Sequence, residues 1–124
     1  MGVPKISKED LKEQLDADDT ISPIIVDVRL KYPYEHSTVM IPGAIRLPPK
    51  NMDLSALPND RDIVVYDSDP EDIVSASVVA VLIKKGYRAS ALSGGILEWM
   101  MAKLPTEEKQ APKQAPPKAG ALKG

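Results

Sequence analysis

Asp67, Ser68, Asp69, Pro70, Glu71 and Asp72 put four carboxylates and a hydroxyl into six consecutive residues, directly after the apolar run Ile63–Tyr66. Two chemistries suit such a run. Several carboxylate oxygens at short spacing can hold a hard divalent cation. The same residues can also start a helix: Asp69 suits an N-cap, Pro70 the first helical position, and Glu71 and Asp72 the positive end of the helix dipole. Helix capping is preferred, because the spacing of a calcium loop and its glycine are missing. No metal ligand set and no cofactor is therefore expected.

A second charged pair, Asp27 and Arg29, follows the apolar run Ile24–Val26. Such a pair commonly fixes a loop through a charge-assisted hydrogen bond. Arg29 is also a candidate to face Asp67 across neighbouring strand ends. The single histidine, His36, is read as a solvated loop residue, since its one conceivable nucleophile, Ser68, is distant in sequence. Beside it, Tyr32-Pro33-Tyr34 reads equally well as an exposed interface cluster or as packing on a sheet edge. Gly94–Gly95 is read as a tight strand-to-helix turn rather than a phosphate loop.

The chain has 124 residues and no cysteine. That excludes disulfides, thiolate metal sites and cysteine nucleophiles. A net charge of -2 gives no electrostatic case for nucleic acid or an anionic membrane. No apolar run approaches the roughly 20 residues of a membrane helix, and Met1 to Asp10 carries no apolar core of a secretory signal. Neither a nucleic-acid nor a membrane partner is expected, and a cytoplasmic location is.

The elements that must position these residues are short. Ser7 and Asp10 form an S-x-x-D start to a helix whose face carries Leu11 and Leu15. Ile24–Val26, Ala44–Leu47, Ile63–Tyr66 and Arg88–Leu92 read as buried strands. Ile73 to Lys85 is too long for a strand and ends at Gly86, so it is predicted as a helix. Gly94-Gly95 opens a last helix to about Lys103, stopped by Pro105, with Ile96 and Trp99 on its buried face. Alternation of buried strands with helices predicts an α/β fold with a mostly parallel sheet covered on both faces, and sites at the carboxyl ends of the strands. Residues 1–105 are expected to form the domain. Residues 106–124, rich in Lys, Ala and Pro, are expected to be a disordered tail. That tail carries four lysines and two glutamates, so it is +2 against a body of -4.

Three stretches, taken in order, resemble the rhodanese family of sulfurtransferases. The first is Val26-Asp27-Val28-Arg29 with Glu35 and Ile41-Pro42-Gly43-Ala44-Ile45. The second is Asp62 to Tyr66. The third is Leu92-Ser93-Gly94-Gly95-Ile96-Leu97-Glu98-Trp99 with Leu104-Pro105. The resemblance implies a three-layer domain with a five-stranded, mostly parallel sheet flanked by helices. It also implies that family enzymes carry a persulfide-forming cysteine at the position of Asp67, and a basic residue at about Asp72. A carboxylate cannot carry sulfane sulfur, and a loop of four carboxylates repels dianionic thiosulfate. The expectation is a catalytically inactive rhodanese-like domain that binds an unidentified protein partner or regulates. The alternative is an enzyme of unknown reaction using residues 67–72 with a divalent cation.

Overall fold

The computed structural model describes residues 3–17, 22–50, 52–69 and 71–109. In chain order the elements are β1 (Lys5–Ile6), α1 (Lys8–Asp16), β2 (Ile24–Asp27), α2 (Lys31–His36), β3 (Val39–Met40), β4 (Ile45–Arg46), a 3-10 turn at Leu54–Ala56, β5 (Asp62–Tyr66), α3 (Ile73–Lys84), β6 (Arg88–Leu92), α4 (Gly95–Met101) and β7 (Glu107–Glu108). Five strands form one sheet in the order β1-β6-β5-β2-β4, with every pairing parallel. The predicted α/β class and five-stranded parallel sheet are thus observed.

Strand periodicity divides the core in two. Val26, Ile63, Val65 and Ala91 point to one face, where Val78, Val79 and Leu82 of α3 cover them. Ile25, Val64, Tyr66 and Leu92 point to the other, against Leu11 of α1 and Ile96 and Trp99 of α4. The Trp99 indole N–H donates to the Pro105 carbonyl at 2.6 Å, which fastens the chain after α4 to the core. Ser7 caps α1 as expected, its hydroxyl accepting from Asp10 N at 3.0 Å.

Two expectations need correction. His36 does not lie in a loop: it is the last residue of α2, whose apolar signal is too weak to announce a helix. The tail does not begin unstructured at residue 106. Glu107–Glu108 pairs antiparallel with β3, Glu107 accepts from Gly43 N at 3.2 Å, and Lys109 donates to the Tyr34 carbonyl at 2.6 Å. Backbone pairing and two side-chain contacts order this segment without large apolar residues. Residues 110–124 lie outside the described residues.

Candidate functional site

Asp67 is the first residue past β5, at the carboxyl end of a central strand, and its exposure is 1%. Its carboxylate is turned into the following loop. Oδ1 accepts from Asp69 N at 2.9 Å and Oδ2 accepts from Ser75 N at 2.6 Å. Ser75 lies in the first turn of α3, where backbone N–H groups have no partner within the helix. The loop therefore directs its amides at an anion, and that anion is the protein's own side chain. Burial pushes the Asp67 carboxyl above its ordinary value. The two backbone donors pull it back, and the charges of Asp72 and Asp69 push it up further.

The carbonyl of Asp67 is held as well, by Ile96 N at 3.0 Å. This contact brings the start of α4 so close that a Cβ on Gly95 would lie 2.3 Å from that carbonyl oxygen, and Gly95 has φ +62. Only glycine fits both the backbone conformation and the space. The glycine pair read as a tight turn thus seats one helix against the loop.

Asp69 does not start the helix as expected. α3 begins at Ile73, with Asp72 at the N-cap position in the left-handed region, φ 60, and without a capping side-chain bond. Asp69 instead accepts from Glu71 N at 2.8 Å, while its carbonyl accepts from Asp72 N at 3.0 Å. These bonds close a turn that displaces the helix start by three residues. Capping is left to Asp67, reaching back from the strand. Pro70 lies outside the described residues. Ser68 is half-buried and Glu71 is exposed.

Asp72 is 4% exposed. Its carboxylate accepts from Gly94 N at 3.1 and 3.2 Å and pairs with Lys5 Nζ at 3.1 Å. Lys5 comes from β1, which packs beside β6, so sequence distance hid the cation that neutralises this end of the loop. The left-handed backbone at Asp72 costs on the order of 1–2 kcal/mol for a residue with a Cβ. The three side-chain contacts offset it.

Arg29 does not face Asp67 as its pairing partner. It binds Asp27, with Nη2 to Oδ2 at 2.7 Å and Nε to Oδ1 and Oδ2 at 3.1 Å each, and donates to the Val39 carbonyl at 3.0 Å. Both side chains are nearly inaccessible, at 0% and 2% exposure. The Tyr66 hydroxyl donates to Asp27 Oδ2 at 2.9 Å and accepts from Ile41 N at 3.3 Å. Burial and the neighbouring Asp27 charge hold that phenol well above its ordinary value. Arg46 Nη1 lies 3.6 Å from Asp27 Oδ1 and donates to the Arg29 carbonyl at 2.6 Å. The pair is thus the centre of a network joining β2, β4 and β5. Lys5, Tyr66 and Arg46 were not singled out from sequence. Tyr66 carried one legible signal, a hydroxyl at the end of the apolar run Ile63–Tyr66, where a buried phenol needs a partner.

Three of the four loop carboxylates are engaged. Asp67, Asp69 and Asp72 each spend carboxylate oxygens on backbone N–H groups, and Asp72 also holds Lys5. Among the described residues no three His, Asp or Glu side chains are grouped as a metal ion would need.

The rhodanese-like domain model matches residues 7–102. A protein named sulfurtransferase from Allochromatium vinosum is 36% identical over 106 residues, covering 83% of this chain and 94% of that protein. An HTH-type transcriptional regulator from Mycobacterium tuberculosis is 35% identical over 86 residues, which make up 68% of this chain and 37% of the regulator. Among solved structures, a full-length protein from Lactobacillus plantarum superposes with a TM-score of 0.73 at 27% identity, covering 85% of this chain and 88% of that one.

Proposed function

The chain belongs to the rhodanese-like domain family, and we propose that within it this protein is a docking or regulatory module that does not transfer sulfur. One observation carries the reading: the Asp67 carboxylate, at the position where the family resemblance places the sulfur-carrying cysteine, occupies the loop amides of Asp69 and Ser75 itself. A sulfur-carrying site needs a thiol and room for an added anion. The chain has no cysteine, and the donors are already engaged.

The similarity to a segment spanning 37% of a transcriptional regulator supports use of such a domain as a module beside other functions. A cytoplasmic setting and a protein partner belong to the same proposal. No helix of the described residues is long and apolar enough to cross a membrane. An enzyme using residues 67–72 with a divalent cation is less well supported, because three of the four loop carboxylates, those of Asp67, Asp69 and Asp72, already accept from backbone N–H groups.

The test is thiocyanate formation from thiosulfate and cyanide by protein purified to constant specific activity. The reading predicts the rate of buffer alone. Turnover that persists through purification would overturn it. Titration with Mg²⁺, Mn²⁺ and Ca²⁺ tests the cation alternative, which requires saturable shifts confined to the amides of the 67–72 loop.

A further inference from the structure

Away from the acidic loop, α2 and the segment after β4 enclose a groove of about 830 Å³. Its walls are apolar and open to solvent: Leu30 and Tyr32 are 47% and 67% exposed, and Pro48–Pro49 form the opposite side. The sequence left the tyrosine cluster undecided between interface and packing, and the structure divides it. The Tyr34 ring is half-buried under cations, with Arg46 at 4.0 Å and Lys109 Nζ at 4.1 Å from its centroid. Tyr32 stands free of the core. The charged residues lining the groove are Lys31, Arg46 and Lys50 against Glu35, an excess of two positive charges on a chain whose net charge is -2. Burial of Arg46 makes its charge harder to hold and lowers its pKa, while Asp27 counteracts this.

Building on the reading of the chain as a docking module, we propose that this groove receives an extended acidic segment of a partner protein carrying an apolar or aromatic anchor. Charge decides the occupant. An anchor side chain fits against Tyr32, Leu30 and the proline pair, where aromatic and proline surfaces offer contact area at low entropic cost. Flanking carboxylates answer Lys31 and Lys50 at the rim, which steers encounter and sets specificity. Residues 110–124 of the chain itself are the wrong complement. They carry Lys113, Lys118 and Lys123 and no acidic side chain.

The test is selection of random dodecamer peptides displayed on phage against the immobilised full chain. Selected peptides are then synthesised and titrated into ¹⁵N-labelled protein. The proposal predicts enrichment of Asp and Glu around an apolar or aromatic residue. It predicts saturable shifts at the amides of Lys31, Tyr32, Tyr34 and Lys50, and affinity that falls with added salt. Tyr32→Ala, and separately Lys31→Glu with Lys50→Glu, should each weaken binding by at least about tenfold. All three positions are solvent-exposed, so the fold should tolerate the changes. The proposal is overturned by peptides without acidic bias, by no enrichment, or by shifts elsewhere such as at Asp67–Ser75; this last result would leave the docking reading intact on another face. The same shifts appearing with protein concentration alone would make a second copy the occupant and also overturn it. Failure of the docking reading itself would show instead as thiosulfate turnover, whatever the groove does.

Discussion

Oδ2 of Asp67 lies 2.6 Å from the backbone nitrogen of Ser75, so a carboxylate at the end of β5 caps the helix that follows it. Oδ1 of the same group holds Asp69 N at 2.9 Å. One side chain thus fixes both limbs of the loop that follows β5.

Asp67→Ala should leave the buried Ser75 N–H without its acceptor. Loss of a capping acceptor costs about 0.5–2 kcal/mol, and an orphaned buried donor about 1–3 kcal/mol. Urea unfolding of the variant should show a loss in that range. A change smaller than about 0.3 kcal/mol would mean that the bond contributes little to the loop.

The same residue makes stability depend on pH. Burial raises the Asp67 carboxyl in the folded state, whereas aspartate in an unfolded chain titrates at about 3.9. The folded protein therefore holds this proton more tightly. Its contribution is fully present below the unfolded value and is lost as pH rises through the raised folded value. Asp67→Asn cannot ionise. Its stability relative to the parent should accordingly improve as pH goes from about 3 to about 7, in paired urea titrations. A difference that stays flat or falls would contradict the raised value.

The Asp27–Arg29 pair should behave as a buried unit. Arg29→Met alone leaves an inaccessible carboxylate with Arg46 at 3.6 Å as its remaining cation. The expected cost is about 3–5 kcal/mol. Asp27→Asn combined with Arg29→Met should cost less than the two single changes added together, because no uncompensated charge remains. Strict additivity in this double-mutant cycle would show that the two side chains do not depend on each other.

Restoring a thiol should not by itself restore an efficient enzyme. Asp67→Cys leaves Asp69, whose charge acts on that position, and the exposed Glu71 of the same loop, and both oppose an anionic donor. Asp72 is neutralised in part by Lys5, 3.1 Å away, and is best left in place because it also holds Gly94. Asp67→Cys with Asp69→Asn and Glu71→Gln should therefore exceed Asp67→Cys in thiosulfate turnover at low salt, and the gap should narrow at high salt. Equal rates at low salt would show that charge is not the obstacle.

The parallel sheet was legible because its central strands hold short apolar runs separated by turn signals, as at Ile24–Val26 and Ile63–Tyr66. So was the helix at Ile73–Lys84, too long and too evenly apolar for a strand. Lys5–Ile6 was not legible as a strand, since two residues carry no periodicity; it is defined only by its pairing with Ala91 and Leu92. Sequence also placed the helix cap at Asp69, the best local residue for it. The turn from Asp69 to Asp72 moved the helix start, and a residue eight positions before Ser75 took over capping. Long-range partners of this kind, like Lys5 for Asp72, leave no local trace. The acidic loop itself was visible from composition alone.

The central claim is that the Asp67 carboxylate takes up the amide donors of the loop after β5. Titrating thiosulfate into ¹⁵N-labelled protein and following the amides of Asp69 and Ser75 tests it most directly. The account predicts that neither amide moves in the parent protein, while both move saturably in Asp67→Ala, where the two donors are released. Saturable shifts of Asp69 and Ser75 in the parent protein would show that the loop still accepts an external anion, and would contradict the account.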